Sequence, residues 1–412
     1  MSKKGYKQTS LGWIPEDWEV KRIRDIGKIS SGTTPARSVS EYHSNGTIHW
    51  VKTTDLNNSV IIETEEKVSE KALLETSLRM YPRGTVLVAM YGGFNQIGRT
   101  GLLGIEATIN QALSAITVDI EKTDRQFLLN WLNANVGLWK SFAGSSRKDP
   151  NITSNDVGDF PVIDMPLSEQ RQIAAILSTW DAAIAKEKQL IDALQTRHRA
   201  LMQQLLSGKK RLKGFRGKWR DVRMGELFKE IKDTNDGKGH SVMTISARHG
   251  LISQQDKFDR IIAGDSLEKY TLLKKGDFAY NKGNSKLYEM GCVYLLDGVD
   301  SAIVPFVYIC FRPTNLVESS FYKYWFAAHG LDRQLKRIIT SGARGDGLLN
   351  VNTDDFFKLN VPFLQREEQS AIAAILNASE KEIQIHSRRL AALKQQRKGL
   401  MQVLLTGKVR VI

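Results

Sequence analysis

The chain has 412 residues, 41% hydrophobic and 25% charged, with two cysteines and a formal charge of +14. That length exceeds one ordinary core, so two or more domains are expected, and two cysteines exclude a disulfide framework or a thiolate zinc cage. The start, Met1-Ser-Lys-Lys-Gly-Tyr-Lys7, lacks the apolar stretch of a signal peptide and no run is long and apolar enough to span a membrane, so a reducing, cytoplasmic setting is expected. The basic balance points to a polyanionic partner, nucleic acid first.

In chain order, residues 1–166 form a first domain whose basic and acidic residues cancel, 19 against 19. Short β-branched and aromatic runs such as Gly84-Thr-Val-Leu-Val-Ala-Met90, separated by Gly/Asn/Asp/Ser turns, predict a mixed α/β domain with a strand core and long loops. Residues 167–212 read as one long helix and a basic linker. The helix seam runs Ile173, Leu177, Trp180, Ile184, Glu187, Ile191, Leu194, His198, Leu201 and Leu205, alternating steps of four and three as a coiled coil does. It has no internal proline and stops at Gly208, where a left-handed cap is easiest. The linker, Lys209-Lys-Arg-Leu-Lys-Gly-Phe-Arg-Gly-Lys218, leads into a second mixed domain, 213–363, with runs such as Val304-Pro-Phe-Val-Tyr-Ile-Cys-Phe311. Residues 364–412 give a second long helix, with the seam Ile372, Leu376, Ser379, Ile383, His386, Leu390, Leu393, Arg397, Leu400 and Leu404, interrupted only by Gly399.

The two helical segments are copies of one another. Residues 169–211 and 368–410 align without a gap and are identical at 18 of 43 positions, including Ile173-Ala-Ala-Ile-Leu177 with Ile372-Ala-Ala-Ile-Leu376. The repeat extends into the domains: Trp18-Glu-Val-Lys-Arg-Ile-Arg-Asp-Ile26 matches Trp219-Arg-Asp-Val-Arg-Met-Gly-Glu-Leu227, and Asn151-Ile-Thr-Ser-Asn-Asp156 matches Asn350-Val-Asn-Thr-Asp-Asp355. Between those marks the halves diverge. The expected architecture is α/β: two mixed domains separated by two long helices that pair as an antiparallel coiled coil, related by a pseudo-twofold repeat. In that pairing, partner numbers sum near 577, which sets Trp180 against Arg397 and His198 against Ser379. An amphipathic helix lying on a globular core is the competing arrangement.

The chemistry of an enzyme is hard to find. There is no Walker loop, no glycine-rich methyltransferase cofactor loop with its (N/D)-P-P-(Y/F) partner, and no H-x-x-x-H pair, so neither a catalytic nor a metal site is expected. Cys310 reads as a small core residue. Candidate nucleic-acid contacts are loop residues of the types that bind phosphates and base edges. In the first half they are Thr33, Thr34, Arg37, Lys52, Thr53, Thr54, Asn95, Gln96, Ser145, Arg147 and Lys148, and in the second Asn281, Lys282, Asn284, Lys286 and Arg344. The competing reading of each loop is a solvated turn.

Two variable domains separated by near-identical helices resemble the specificity subunit of a Type I restriction-modification system. The resemblance covers essentially the whole chain and rests on Leu11-Gly-Trp-Ile-Pro-Glu-Asp-Trp-Glu19, the helix starts Pro166-Leu-Ser-Glu-Gln-Arg-Gln-Ile-Ala-Ala-Ile-Leu177 and Glu368-Gln-Ser-Ala-Ile-Ala-Ala-Ile-Leu376, and the helix ends Leu205-Leu-Ser-Gly-Lys209 and Leu404-Leu-Thr-Gly-Lys408. Looser motifs are Ile48-His-Trp-Val-Lys-Thr-Thr-Asp-Leu56, Arg83-Gly-Thr-Val-Leu87 and Lys275-Gly-Asp-Phe278; the second domain departs in lacking a W-V-x-x-x-D-L string. The resemblance implies a non-catalytic subunit with two target-recognition domains, each reading half of a split, asymmetric double-stranded DNA target. It implies paired helices that space the domains and dock two methyltransferase subunits, through seam residues Ile173, Leu177, Trp180, Ile184, Leu194, Leu201, Ile372, Leu376, Ile383, Leu393, Arg397 and Leu400. S-adenosylmethionine belongs to those partners, and ATP and Mg to the restriction subunits of the full complex. A coiled-coil adaptor without DNA readout, and a self-contained enzyme of unrecognised chemistry, remain as alternatives.

Overall fold

The computed structural model describes the chain except residues 1–3, 94, 144–150, 256–263, 284, 340–347 and 412. It comprises two compact units, Met1–Lys188 with Arg389–Ile412, and Gln189–Arg388. The division passes through the long helices, so each unit holds the start of one and the end of the other.

In the first unit a five-stranded sheet has the order Gly27–Ser31, Leu113–Val118, Val86–Ala89, Thr100–Leu103, Val60–Ile61, antiparallel except for the last pair. The run Val86-Leu-Val-Ala89 is apolar without alternation because both faces are covered, and all four residues are buried. One face meets the helix Arg125–Ala134 and Trp139; the other packs on Val51, Leu56 and Tyr81. A smaller sheet joins Thr108–Ile109, Ile48–Val51 and Glu66–Val68. The second unit carries two four-stranded sheets. One has the order Phe228–Glu230, Ile309–Pro313, Phe278–Asn281, Cys292–Leu295; the other has Gly250–Ser253, Ser241–Ser246, Ser301–Val304, Thr271–Lys274. Cys310 lies buried in the former, where burial pushes its thiol up to about 12.

The repeated sequence marks become repeated structure. Glu19–Arg22 pairs antiparallel with Pro161–Asp164, and Arg220–Arg223 pairs in the same way with Asn360–Phe363. Thr153 caps the helix Ser154–Asp159, and Asn352 caps Thr353–Phe357, each side chain accepting a backbone N–H.

Both long helices are continuous, Leu167–Leu205 and Arg366–Leu404, each of 39 residues or about 58 Å. Gly399 does not break the second. They pair antiparallel: Asp181 meets Arg397 and Glu187 meets Arg389 in the first unit, while Arg197 meets Glu382 in the second. The expected register is correct, but one facing pair is not. Arg397 donates to Asp181 Oδ2 at 2.8 Å and to Asn130 Oδ1 at 3.1 Å, one residue on from the expected Trp180. A carboxylate outcompetes an indole face for a guanidinium because it accepts charge-assisted hydrogen bonds. The competing core arrangement also holds in part. Ile173 and Leu177 join a core with Leu404 and Leu405, and Ile372 and Leu376 join one with Leu205 and Leu206, so the first turns of each helix are domain core as well as seam. Ile184 and Leu194 are buried; Leu201, Ile383, Leu393 and Leu400 are half-buried.

Candidate nucleic-acid interface

The first-unit candidates gather at one end of the five-stranded sheet. Ser31 pairs with Ser114, so the chain leaving Gly27–Ser31 turns beside Ile109 and Leu113, where Thr33 N–H donates to Ile109 O at 3.0 Å and Gly32 N–H to Leu113 O at 3.3 Å. A Cβ on Gly32 would fall 2.2 Å from Ile109 O, so only glycine permits this turn. The loop holding Asn95 and Gln96 leaves Val86–Ala89 at the same end, where Met90 N–H donates to Ala112 O at 2.8 Å. Asn95 is exposed, whereas Gln96 Oε1 is buried without a hydrogen-bond partner.

The cations here are not free. Lys52 donates to Glu66 at 2.6 Å and Glu65 at 3.1 Å, and its side chain is only 17% exposed. Arg37 pairs with Glu66 at 2.7 Å and lies 5.3 Å from the Trp50 ring centroid. Burial alone favours a neutral Lys52, yet its two carboxylate partners hold its ammonium above the ordinary lysine range; Lys52 in turn holds Glu66 below the usual carboxylate range. A phosphate reaching Lys52 must therefore compete with two carboxylates. Thr33 shares a hydrogen bond with Ser77, Thr34 donates to Gln111, Thr53 is half-buried and Thr54 is exposed. Ser145, Arg147 and Lys148 lie outside the described residues.

In the second unit Asn281 ends the strand Phe278–Asn281 and its Oδ1 accepts Gly283 N–H at 2.9 Å, while Lys282 O accepts Leu349 N–H at 2.9 Å. Asn284 and Arg344 lie outside the described residues. Lys286 is exposed and shares a cleft of about 400 Å³ with His329, Asp332, Arg333 and Lys336. The sequence reading did not single out Arg333, in the first turn of Asp332–Ile338, or Lys336, which with Arg337 makes its last turn basic.

It also missed a side-chain clasp built twice. In the first unit Arg410 makes a bidentate pair with Glu169, 2.7 and 2.8 Å, and another with Asp17, both 2.9 Å; Trp18 Nε1–H donates to Glu169 at 3.2 Å. In the second unit Arg211 grips Glu368 at 2.6 and 2.7 Å, and Trp219 Nε1–H donates at 3.3 Å. The signal was available, since the glutamate opens and the arginine closes the aligned 43-residue block in both copies. Arg410 holds Asp17 below the usual carboxylate range. Among the described residues no group of three His, Cys, Asp or Glu is placed to hold a metal, and no helix is long and apolar enough to cross a membrane.

Duplicated frames, unlike loops and a paired-helix seam define a two-unit protein built on one internal repeat. Residues 15–196 match the family model of the Type I restriction modification DNA specificity domain. Among curated relatives, the Type I restriction enzyme MjaIX specificity subunit of Methanocaldococcus jannaschii is 30% identical over 194 residues, 46% of this chain and 44% of that protein. The MjaVIII specificity subunit of the same organism is 24% identical over 97% of this chain and 94% of its own length. The fold is that of the solved S subunit of a Type I system from M. genitalium, with a TM-score of 0.58 at 13% identity and 97% of each chain covered. Along nearly its whole length the chain is thus similar to Type I restriction-modification specificity subunits, and residues 15–196 carry the match to the DNA specificity domain.

Proposed function

We propose that this chain is the sequence-specific DNA-recognition subunit of a Type I restriction-modification complex and is itself without catalytic activity. The observation that carries this reading is duplication of the frame without duplication of the loops. The clasp, the paired terminal strands and the capped helix before each long helix recur, while the loops between them differ in sequence. Like frames with unlike loops suit a split, asymmetric double-stranded target, with the domain at 1–166 reading one half and that at 213–363 the other. Asn95, Thr54, Arg37 and Lys286 are the exposed described candidates for contact. The helical segments 167–212 and 364–412 space the domains and dock two methyltransferase subunits, which carry S-adenosylmethionine; restriction subunits bring ATP and Mg, and the complex works in the cytoplasm.

The test is a binding selection on random duplexes with the complex assembled from this chain and its methyltransferase subunits. Two half-sites separated by unread bases are expected, at about 34–36 Å or a multiple of it if both domains read one face. Inserting one heptad at matched points in both helices lengthens the preferred gap and leaves both half-sites unchanged. A continuous palindrome, or a gap indifferent to helix length, refutes the spacing role; recovery of no specific duplex refutes DNA recognition and favours the adaptor.

A further inference from the structure

At the end of the five-stranded sheet opposite the candidate DNA loops, the first unit has a cleft of about 380 Å³ lined by Arg83, Arg125 and Arg171. The register fixes its place. Val86 pairs with Ile116 and Leu102, so Arg83 and Gly84 enter the strand at one end, whereas the loop with Asn95 leaves at the other, about 13 Å away. Arg125 donates to the Arg83 carbonyl at 3.1 Å and Arg171 to the Ile120 carbonyl at 3.5 Å. No described carboxylate pairs with any of the three guanidiniums, and each has five N–H donors, so most of their hydrogen-bonding capacity is unused. Asp124 also lines the cleft, but it caps the helix Arg125–Ala134 by accepting Phe127 N–H at 2.8 Å.

The second unit supplies an internal control. Gly84 (φ +90°) donates its N–H to Leu103 O at 2.7 Å, and Gly276 (φ +97°) donates to Leu296 O at 2.8 Å. Asp124 N–H donates to Gln170 Oε1 at 2.9 Å, and Glu318 N–H to Gln369 Oε1 at 2.7 Å. The frame of the cleft is thus common to both units, yet Lys275, Ser319 and Ser370 stand where the first has Arg83, Arg125 and Arg171. A frame that forms without Arg125 and Arg171 does not need them, so their role is not explained by folding.

We propose that this cleft binds an acidic segment of a partner polypeptide, carboxylates on the three arginines and an aliphatic side chain on the floor. The floor is what decides between ligands. Val60 and Ile120 border the arginines at 41% and 46% exposed, and a sugar–phosphate backbone has no apolar group to cover them. Guanidiniums around exposed aliphatic side chains are the composition of a protein interface. This site is separate from both the helix seam and the DNA loops.

The test uses the full chain and a fluorescein-labelled peptide, Gly-Glu-Leu-Asp-Ile-Glu-Gly, in an anisotropy titration. The double variant R125S/R171S installs the residues of the second unit, so its folding is preserved; it should weaken the peptide by roughly tenfold or more, the effect of losing hydrogen bonds to a charged group. Replacing Leu and Ile of the peptide by Ser should weaken it several-fold, and an unrelated duplex or inorganic phosphate should not displace it. Absence of binding, equal affinity for the variant, equal affinity of the serine peptide, or displacement by duplex or phosphate overturns the proposal. The variant should also bind the selected target duplex as the wild type does, and loss there overturns it too, because the arginines would then belong to the DNA surface. Failure of the wild-type chain to select any duplex refutes the DNA-recognition reading alone.

Discussion

Arg410→Met is the most informative single perturbation of the first unit. Glu169 is 4% exposed and relies on Arg410 for two of its hydrogen bonds; without the guanidinium, Trp18 Nε1–H remains the one described side-chain donor to its carboxylate. Removing one member of a buried pair costs about 3–5 kcal/mol, because the remaining charge is left uncompensated. With the Trp18 bond retained, the destabilisation should be ~2–4 kcal/mol at pH 7. Adding Glu169→Gln to Arg410→Met should recover much of the loss at pH 7, since an amide has no charge to strand. The assay is calorimetric unfolding at pH 7, where ~2–4 kcal/mol corresponds to a fall in Tm of about 4–16 °C. A loss below about 1 kcal/mol at pH 7, or no recovery in the Arg410→Met/Glu169→Gln double variant, refutes the reasoning. Arg211→Met is the matched experiment in the second unit, where Lys218 stands in the place of Asp17 and the arginine has one carboxylate partner fewer.

How much of this was legible depended on whether sequence spacing or three-dimensional competition decided the outcome. The helices were legible because a seam such as Ile173, Leu177, Ile184 leaves a periodic trace, and the aligned repeat fixed the pairing register. The two-unit plan followed from the same repeat. Arg397 was misassigned because the seam rule gives a position, not a partner: Trp180 and Asp181 are neighbours on one turn, and the carboxylate wins. Lys52 looked like a phosphate ligand in a Thr-rich loop, but Glu65 and Glu66 come from across the chain reversal, and nothing in local spacing reports that approach. The clasp was legible in principle, at the two ends of the aligned block, but only when its glutamate and arginine are read as charge partners across copies. The arginine cleft was not, because Arg83, Arg125 and Arg171 lie in three separate segments.

The remaining predictions concern single sites. Gly84→Ala forces φ +90° on an L residue and sets its Cβ 1.8 Å from Arg125 Nη1, so a loss of ~1–3 kcal/mol in urea unfolding is expected, and a change within a few tenths refutes the assigned geometry. Glu66→Gln takes the carboxylate from Arg37 and leaves Lys52 with Glu65 alone, so affinity for an unrelated duplex should rise and its salt dependence steepen, while unchanged titrations would show that neither cation reaches phosphate. His198 gives the last test. Its ring lies edge-on to Tyr324, with centroids 5.9 Å apart, and its Nδ1 is buried without a hydrogen-bond partner. Burial lowers its affinity for a proton, and Arg197 adds to this, against the opposing pull of Glu380. The folded-state value is therefore below the unfolded value near 6.5, so the unfolded chain binds more protons in the interval between them. Stability from this site is fully present above about pH 6.5 and declines as pH falls through the folded-state value. Replacing the imidazole by a group that does not titrate, as in His198→Gln, should flatten the stability profile between pH 5 and 7. A wild-type profile that rises toward acid over that range would mean that the pairing of His198 with Glu380 outweighs its burial, and a profile that the substitution leaves unchanged would mean that folding does not alter its proton affinity; either result refutes the reasoning.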